Sequence, residues 1–502
     1  MHLLGFNGSL KMTNLLSISF FKTYSAWLLL PFLGIFFGVL ASTADPLAIG
    51  MSASSFIGIA LLSKPTWNVD LIIVLGLFVS GLVTLFFGDL ATKMMWGVSI
   101  LGFVLLMTAF YRLITTPQLI KSTPAFVWIA LLFFIYTLVD SVLQLYTAKE
   151  IIGGFKRYFQ AWGLLFGLCW LDFNKKNVDR WCLLVLGICL LQAPFCLYEK
   201  LVLVPFREGY VESLPGLEAI DVVAGTFGAL MLGGGNSAEM AVALIMMFAF
   251  LLARYQANMM PSKQLLWLSL LLLSPLGMGE TKIVVIFFPL MIAVLYRKEF
   301  LSRPHYLVVA LIFGTLFTAI TLNVYMIINK TTLDGLIFDT LKYNVYEVGY
   351  GSFYLNRTTV LTFWAEHQSS ANPLSFLFGN GLGSTQEGDS SGPGGHISMR
   401  YPSSGLGFTG AAMLLWELGV FGVSLFLLMI ALAWRCANRV IKVAVDPVAR
   451  ADATAIQAGL FLFAIYPFYL NSLFNQFSFQ MLFTFMLGYL AWLHKQSVEN
   501  ES

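Results

Sequence analysis

Residues 305–328 read HYLVVALIFGTLFTAITLNVYMII, and residues 329–335, which follow, read NKTTLDG. The first run holds no Asp, Glu, Lys or Arg. It is long enough for a helix to cross a bilayer, which takes ~20 residues for ~30 Å of hydrocarbon. The second opens a polar stretch, Asn329 to Gly405, rich in Gly, Ser, Asn and Pro. That stretch carries Lys330, Asp334, Asp339, Lys342, Glu347, Arg357, Glu366, Glu387, Asp389 and Arg400, with His367 and His396. A spanning helix followed by a long polar loop is the pattern around which the rest of the chain is read.

Comparable apolar runs fall near 25–43, 46–63, 69–88, 94–111, 125–146, 157–173, 181–203, 236–254, 264–279, 282–297, 406–434, 455–472 and 476–493. With 58% hydrophobic and only 11% charged residues in 502, the chain lies outside the range of soluble domains, which are about 25% charged. The expectation is an all-α, polytopic membrane protein with about 12–14 transmembrane helices. It divides into an N-terminal helix bundle, 1–328, a large loop with short amphipathic helices, 329–405, and C-terminal transmembrane helices, 406–502. Met1 to Tyr24 leads into the apolar run Ser25 to Ala41, which reads as a first span rather than a cleavable signal. A net charge of +3 without a basic tail argues against nucleic acid as a partner. The five cysteines show no Cys-x-x-Cys spacing, so neither a metal site nor a disulfide framework is expected, and no cofactor is called for.

With both termini in the cytoplasm and the runs alternating, most of the 29 Lys and Arg fall on the cytoplasmic side. The polar stretch 329–405 and a second one, 204–235, with Glu208, Glu212, Glu218 and Asp221, then share the extracytoplasmic face.

Within the large loop, Tyr354 to His367 reads as an amphipathic helix capped by Asn356, its face of Val360, Leu361, Phe363 and Trp364 suited to a membrane surface. Phe378-Gly-Asn-Gly-Leu-Gly383 is a tight turn or, alternatively, a nest of amides for an anion. Arg357, an Arg among aromatic residues, is equipped to hold a phosphate through two parallel hydrogen bonds. Glu280 and Lys282 sit at a helix junction in apolar sequence, where charges pair with each other or serve a substrate. Lys156 and Arg157, after Gly153-Gly154, are interface anchors or further cations of the same site. Arg400 adds positive charge near the end of the loop. Glu366, His367 and His396 are the groups able to take a proton from an attacking hydroxyl.

Three elements together resemble a known superfamily. These are Glu280-Thr-Lys282 opening a helix, Asn356-Arg357 with Phe363-Trp364 and the glycine turn 378–383, and Trp416-Glu-Leu-Gly-Val-Phe-Gly422 after the loop. In that order they resemble the bacterial O-antigen ligase and Wzy-type polysaccharide polymerases, over roughly residues 150–430. The resemblance implies a metal-independent, inverting glycosyltransferase with a GT-C-like fold in the bacterial inner membrane. Its donor would be an oligosaccharide on undecaprenyl pyrophosphate, taken at the periplasmic face, with a chain-length regulator and a flippase as pathway partners. It makes Arg357 the pyrophosphate-binding arginine and Lys156 or Arg157 a second basic position. Where the family has Ser-Arg, this chain has Thr281-Lys282. Where the family has a His shortly before the Glu-x-Gly element, it has Tyr401-Pro-Ser-Ser-Gly405, the nearest being His396. The expectation is an exopolysaccharide, capsule or O-antigen polymerase. The alternatives are a ligase acting on lipid A core or protein, and a transporter of lipid-linked oligosaccharide.

Overall fold

Among the described residues of the computed structural model every regular element is helical, and the β pairing is an isolated antiparallel bridge between Ala229 and Gly235. Those residues are 38–39, 42, 46–62, 64–144, 146–211, 218–231, 233–328, 332–346, 349, 353–368, 372–388 and 394–499. Nearly all of the expected first span near 25–43, together with Glu212, Lys330, Glu347 and Asp389, lies outside them.

Seven of the described helices are long and apolar enough to cross a membrane. They are α1 (Pro65–Phe87), α2 (Met95–Thr115), α3 (Ala125–Leu143), α4 (Lys175–Gly209), α5 (Ser237–Gln256), α6 (Gly410–Val443) and α7 (Pro447–Phe468). Apolar side chains leave the backbone as the only hydrogen-bonding matter in such runs, and a helix satisfies it internally. Polar caps set where they begin. Asn174 accepts from the Asn177 amide, Thr409 from the Ala412 amide, and Asp446 from the Val448 amide with Pro447 in the first turn. The helix Phe477–Glu499 is almost wholly buried and packs on Trp162–Trp170 and on α6. Against α6 also lie α3 and α7, and α5 runs along α7.

One expected span, 157–173, is broken. Ala148–Phe159 and Trp162–Trp170 are separate helices, and the gap between them is sealed by side chains. Ala161 N donates to Gln480 Oε1 (3.0 Å), Thr484 Oγ1 to Ala161 O (3.0 Å), and Gln160 Nε2 to Asn475 O (3.3 Å). Ser262–Met278 and Val284–Leu295, the expected runs 264–279 and 282–297, flank a turn that contains Glu280 at φ +50°. Irregular backbone at membrane depth is stable only when protein groups replace the missing helical partners.

The charged contacts gather at two ends of the bundle. At one end are Lys175–Asp446, Arg180–Asp70, Arg112–Asp172–Lys495, and Asp452 held by both Arg254 nitrogens (2.7 Å each) and by the Tyr489 hydroxyl. At the other, where α5 starts and α7 ends, are Glu239, Tyr466, Tyr469 and Arg357. The long loop and the 218–236 segment both meet this second end.

Candidate functional site

Polar groups converge on the break between α7 and Phe477–Glu499, Tyr466-Pro-Phe-Tyr-Leu-Asn-Ser-Leu-Phe-Asn-Gln476. Three segments come to it. From the large loop, Arg357 Nε donates to Tyr469 O (3.0 Å) and its Nη1 to Asn344 Oδ1 (3.0 Å). Its guanidinium lies 4.4 Å from the centre of the Tyr469 ring and 5.2 Å from that of Phe408. Two rings and two acceptors fix a planar cation far better than they would a flexible ammonium. From the start of α5, buried Glu239 accepts from the Tyr466 hydroxyl (2.8 Å) and from Ser472. From the Ala148–Phe159 helix, Tyr158 stacks on Phe474 at 5.2 Å.

Burial raises the pKa of the Tyr469 phenol, with Arg357 and Lys282 pulling it down and Glu239 and Asp221 pushing it up. Burial likewise lifts the Asp221 carboxyl above its usual range, against the pull of the Glu218 amide, Arg207 and Lys282. Lys282 is exposed at the helix junction. Its neighbour Glu280 pairs with Lys200 (2.7 Å).

Arg157 belongs to a second group. It acts on buried Glu417 and on the Tyr158 phenol. Glu417 Oε1 accepts from Thr385 N (3.2 Å) and Thr385 Oγ1 (2.6 Å), while its Oε2 is buried without a hydrogen-bond partner among the described residues. Lys156 goes elsewhere, its ammonium 5.4 Å from the centre of the Trp96 ring.

The glycine turn explains how the loop reaches Glu417. Gly379, Gly381 and Gly383 have φ of +85°, +85° and +81°. Asn380 N and Gly381 N donate to Glu417 O (3.2 and 2.9 Å), where α6 itself is broken by Gly419 at φ +64°. The turn therefore straps the loop to a kinked helix through the main-chain carbonyl of Glu417.

His396 Nδ1 lies 2.6 Å from Glu150 Oε1, and its ring stacks on Tyr146 at 3.4 Å. Its Nε2 is buried without a hydrogen-bond partner among the described residues. A histidine held at one nitrogen by a carboxylate, with the other nitrogen unclaimed, has the geometry of an oriented proton acceptor. Glu150 and Arg157 lie seven residues apart on one helix, so they share a face, about 10 Å apart along its axis. Glu366 and Arg400 are exposed, and none of these contacts involves them.

The loop helix is Thr359–His367, shorter than 354–367, because Asn356 Oδ1 takes the amides of Thr358 and Thr359 (2.9 Å each). Its apolar face does not lie at a membrane surface. Val360 and Trp364 are buried in a cluster with Ile397, Leu406, Ala412 and Trp416. Sequence reading singled out neither Glu150 nor Tyr469. Glu150 shows in sequence only as the acid three residues after the Thr147 cap, and the density of Asn, Gln and Tyr in 466–476 is the one cue to the break.

Fold and charge distribution define a multi-pass, all-helical membrane protein, with charged side chains gathered at the two ends of its bundle. No protein-family model matches the chain, and no curated protein matches it either.

Proposed function

We propose that this protein is a polysaccharide polymerase of the bacterial inner membrane, an inverting, metal-independent glycosyltransferase with about 12–14 spans and a GT-C-like architecture. It transfers glycan from an undecaprenyl-pyrophosphate carrier to a sugar hydroxyl of a second lipid-linked repeat unit, at the periplasmic face. Both termini lie in the cytoplasm. The observation that carries the reading is the fixing of Arg357 on Tyr469 at the break after α7, together with a His396–Glu150 pair at the loop's other anchor.

In this reading the leaving pyrophosphate is stabilised by Arg357, Lys282 and Arg157. Fixed cations aimed at developing negative charge are the largest contribution a protein can make to such a step. His396 Nε2 takes the proton of the attacking hydroxyl as the new glycosidic bond forms and the bond to pyrophosphate breaks. Glu150 holds the imidazole in place.

The test is the lipid-linked glycan of cells lacking the protein or carrying Arg357→Ala. Single repeat units on the carrier are expected in both, with protein level unchanged in the variant. Full-length chains stranded on the carrier would instead mean a ligase, and units trapped at the cytoplasmic face a transporter.

A further inference from the structure

The large loop begins with an apolar helix face left in the open. Leu333–Asn344 is a helix of 12 residues, LDGLIFDTLKYN, started by Thr332, whose side chain accepts from the Gly335 amide (3.2 Å). Leu333, Ile337 and Leu341 recur every fourth residue and so share one face, with Phe338 beside them. Leu333, Ile337 and Phe338 are 49%, 49% and 58% exposed, and Val345 continues the stripe past the helix end. Asp334 lies in the first turn, where a carboxylate offsets the free amides. Apolar side chains half in the open at this spacing mark an interaction surface.

The chain on either side says what that surface meets. Pro304–Ile328, just before it, has 25 residues without Asp, Glu, Lys or Arg, about 37 Å of helix, enough to cross the hydrocarbon. Its exposed Leu307, Leu311, Ile312, Leu316 and Ile327 are side chains suited to face lipid. Three residues, 329–331, separate Ile328 from Thr332, a reach of at most about 14 Å. The stripe therefore starts where a span leaves the bilayer.

Its far end is tied to the end of another span. Asn344 Oδ1 accepts from Arg357 Nη1 (3.0 Å), and Arg357 Nε donates to the carbonyl of Tyr469, the residue next after α7. Asn344 O accepts from the Thr358 hydroxyl, and Tyr346 O from Asn356 Nδ2. Exposed Tyr346 and Tyr354 add amphipathic rings of the kind enriched at the headgroup level. With about 18 Å of length, the helix is too short to span and the right size to lie flat.

We infer that Leu333–Asn344 lies in the plane of the membrane, its stripe of Leu333, Ile337, Phe338 and Leu341 sunk between headgroups and acyl chains. The occupant of the stripe is the lipid surface, because the stripe continues the lipid-facing side chains of Pro304–Ile328 and both its ends are held at the ends of spans. The surface role expected of 354–367 falls to this helix instead. Since Asn344 holds Arg357, the seat also sets how far that guanidinium stands from lipid. The seat asks nothing of the reaction proposed above, and either can fail without the other.

The experiment is electron paramagnetic resonance on the full chain in nanodiscs of phosphatidylcholine and phosphatidylglycerol. A nitroxide is attached at Ile337→Cys or, separately, at Phe338→Cys, with Cys182→Ala removing the half-buried native thiol. Oxygen, which dissolves in the bilayer, is expected to relax both labels more than a water-soluble nickel chelate does, at a depth of about 5–10 Å in the headgroup–acyl boundary. Adding Ile337→Asp and Leu341→Asp to the Phe338 label is expected to reverse that order. An oxygen preference kept in that variant would mean that neighbouring segments hold the label in lipid, and would overturn the assignment to the stripe. A nickel preference with the stripe intact would place it in water, and exclusion of both reagents would place it under a second copy or another protein. Either result overturns the seat in lipid.

Discussion

Arg357 owes its geometry to neighbours far away in the chain. Tyr469 supplies both a carbonyl and a ring face, so truncating either partner loosens the cation. His396 depends in the same way on Glu150. In a polymerisation assay with a purified lipid-linked repeat unit, His396→Ala is expected to lower kcat by about 10²-fold or more, the scale of general base catalysis. Glu150→Gln is expected to lower kcat about tenfold with KM nearly unchanged, because it orients the base without touching substrate. Wild-type turnover in His396→Ala would remove it from the reaction. Of this group the sequence made Arg357 and His396 legible as candidates, since charge in a polar loop is conspicuous. Glu150, 246 residues from His396, was hidden because pairing across that distance is set by the tertiary fold.

Among the elements, the kinked α6 and the glycine turn act as one. A Cβ on Gly419 would stand 2.4 Å from Leu377 O, and its φ of +64° is itself costly for any other residue. Gly381, at φ +85°, would meet only Gln144 side-chain and Ser141 backbone atoms at 3.3 Å or more. Gly419→Ala is therefore expected to cost about 2 kcal/mol or more and Gly381→Ala about 1 kcal/mol. Thermal unfolding of the two variants in detergent measures the order, and equal melting temperatures would contradict it. The helix break at Gln160–Ala161 follows the same logic. Its sequence looks like an ordinary span because apolar content reports membrane burial, not helix continuity.

At the scale of the molecule, the ends of α6 separate two layers of charge. Leu374, on the segment strapped to Gly419, and Val445, just past Val443, are 71% and 79% exposed. About 36 Å of helix lies between Gly419 and Val443, more than the hydrocarbon thickness. A membrane-impermeant maleimide is expected to label Leu374→Cys in intact spheroplasts and Val445→Cys only after permeabilisation. Background is low, since four of the five native cysteines are buried and Cys182 is half-buried. Labelling of both from one side would refute the separation of the ends.

The sequence by itself determined that this chain is helical, that it crosses a membrane many times, and that its long loop carries concentrated charge. Those properties follow from composition and run length, because lipid leaves the backbone few alternatives to the helix. Only the tertiary structure decided which charges meet. It paired Glu280 with Lys200, set Lys156 on Trp96, turned the loop helix inward onto Trp416, and brought Arg357 to Tyr469. The reason is physical: electrostatic partners are chosen by distance across packed helices, and one-dimensional spacing does not contain that distance.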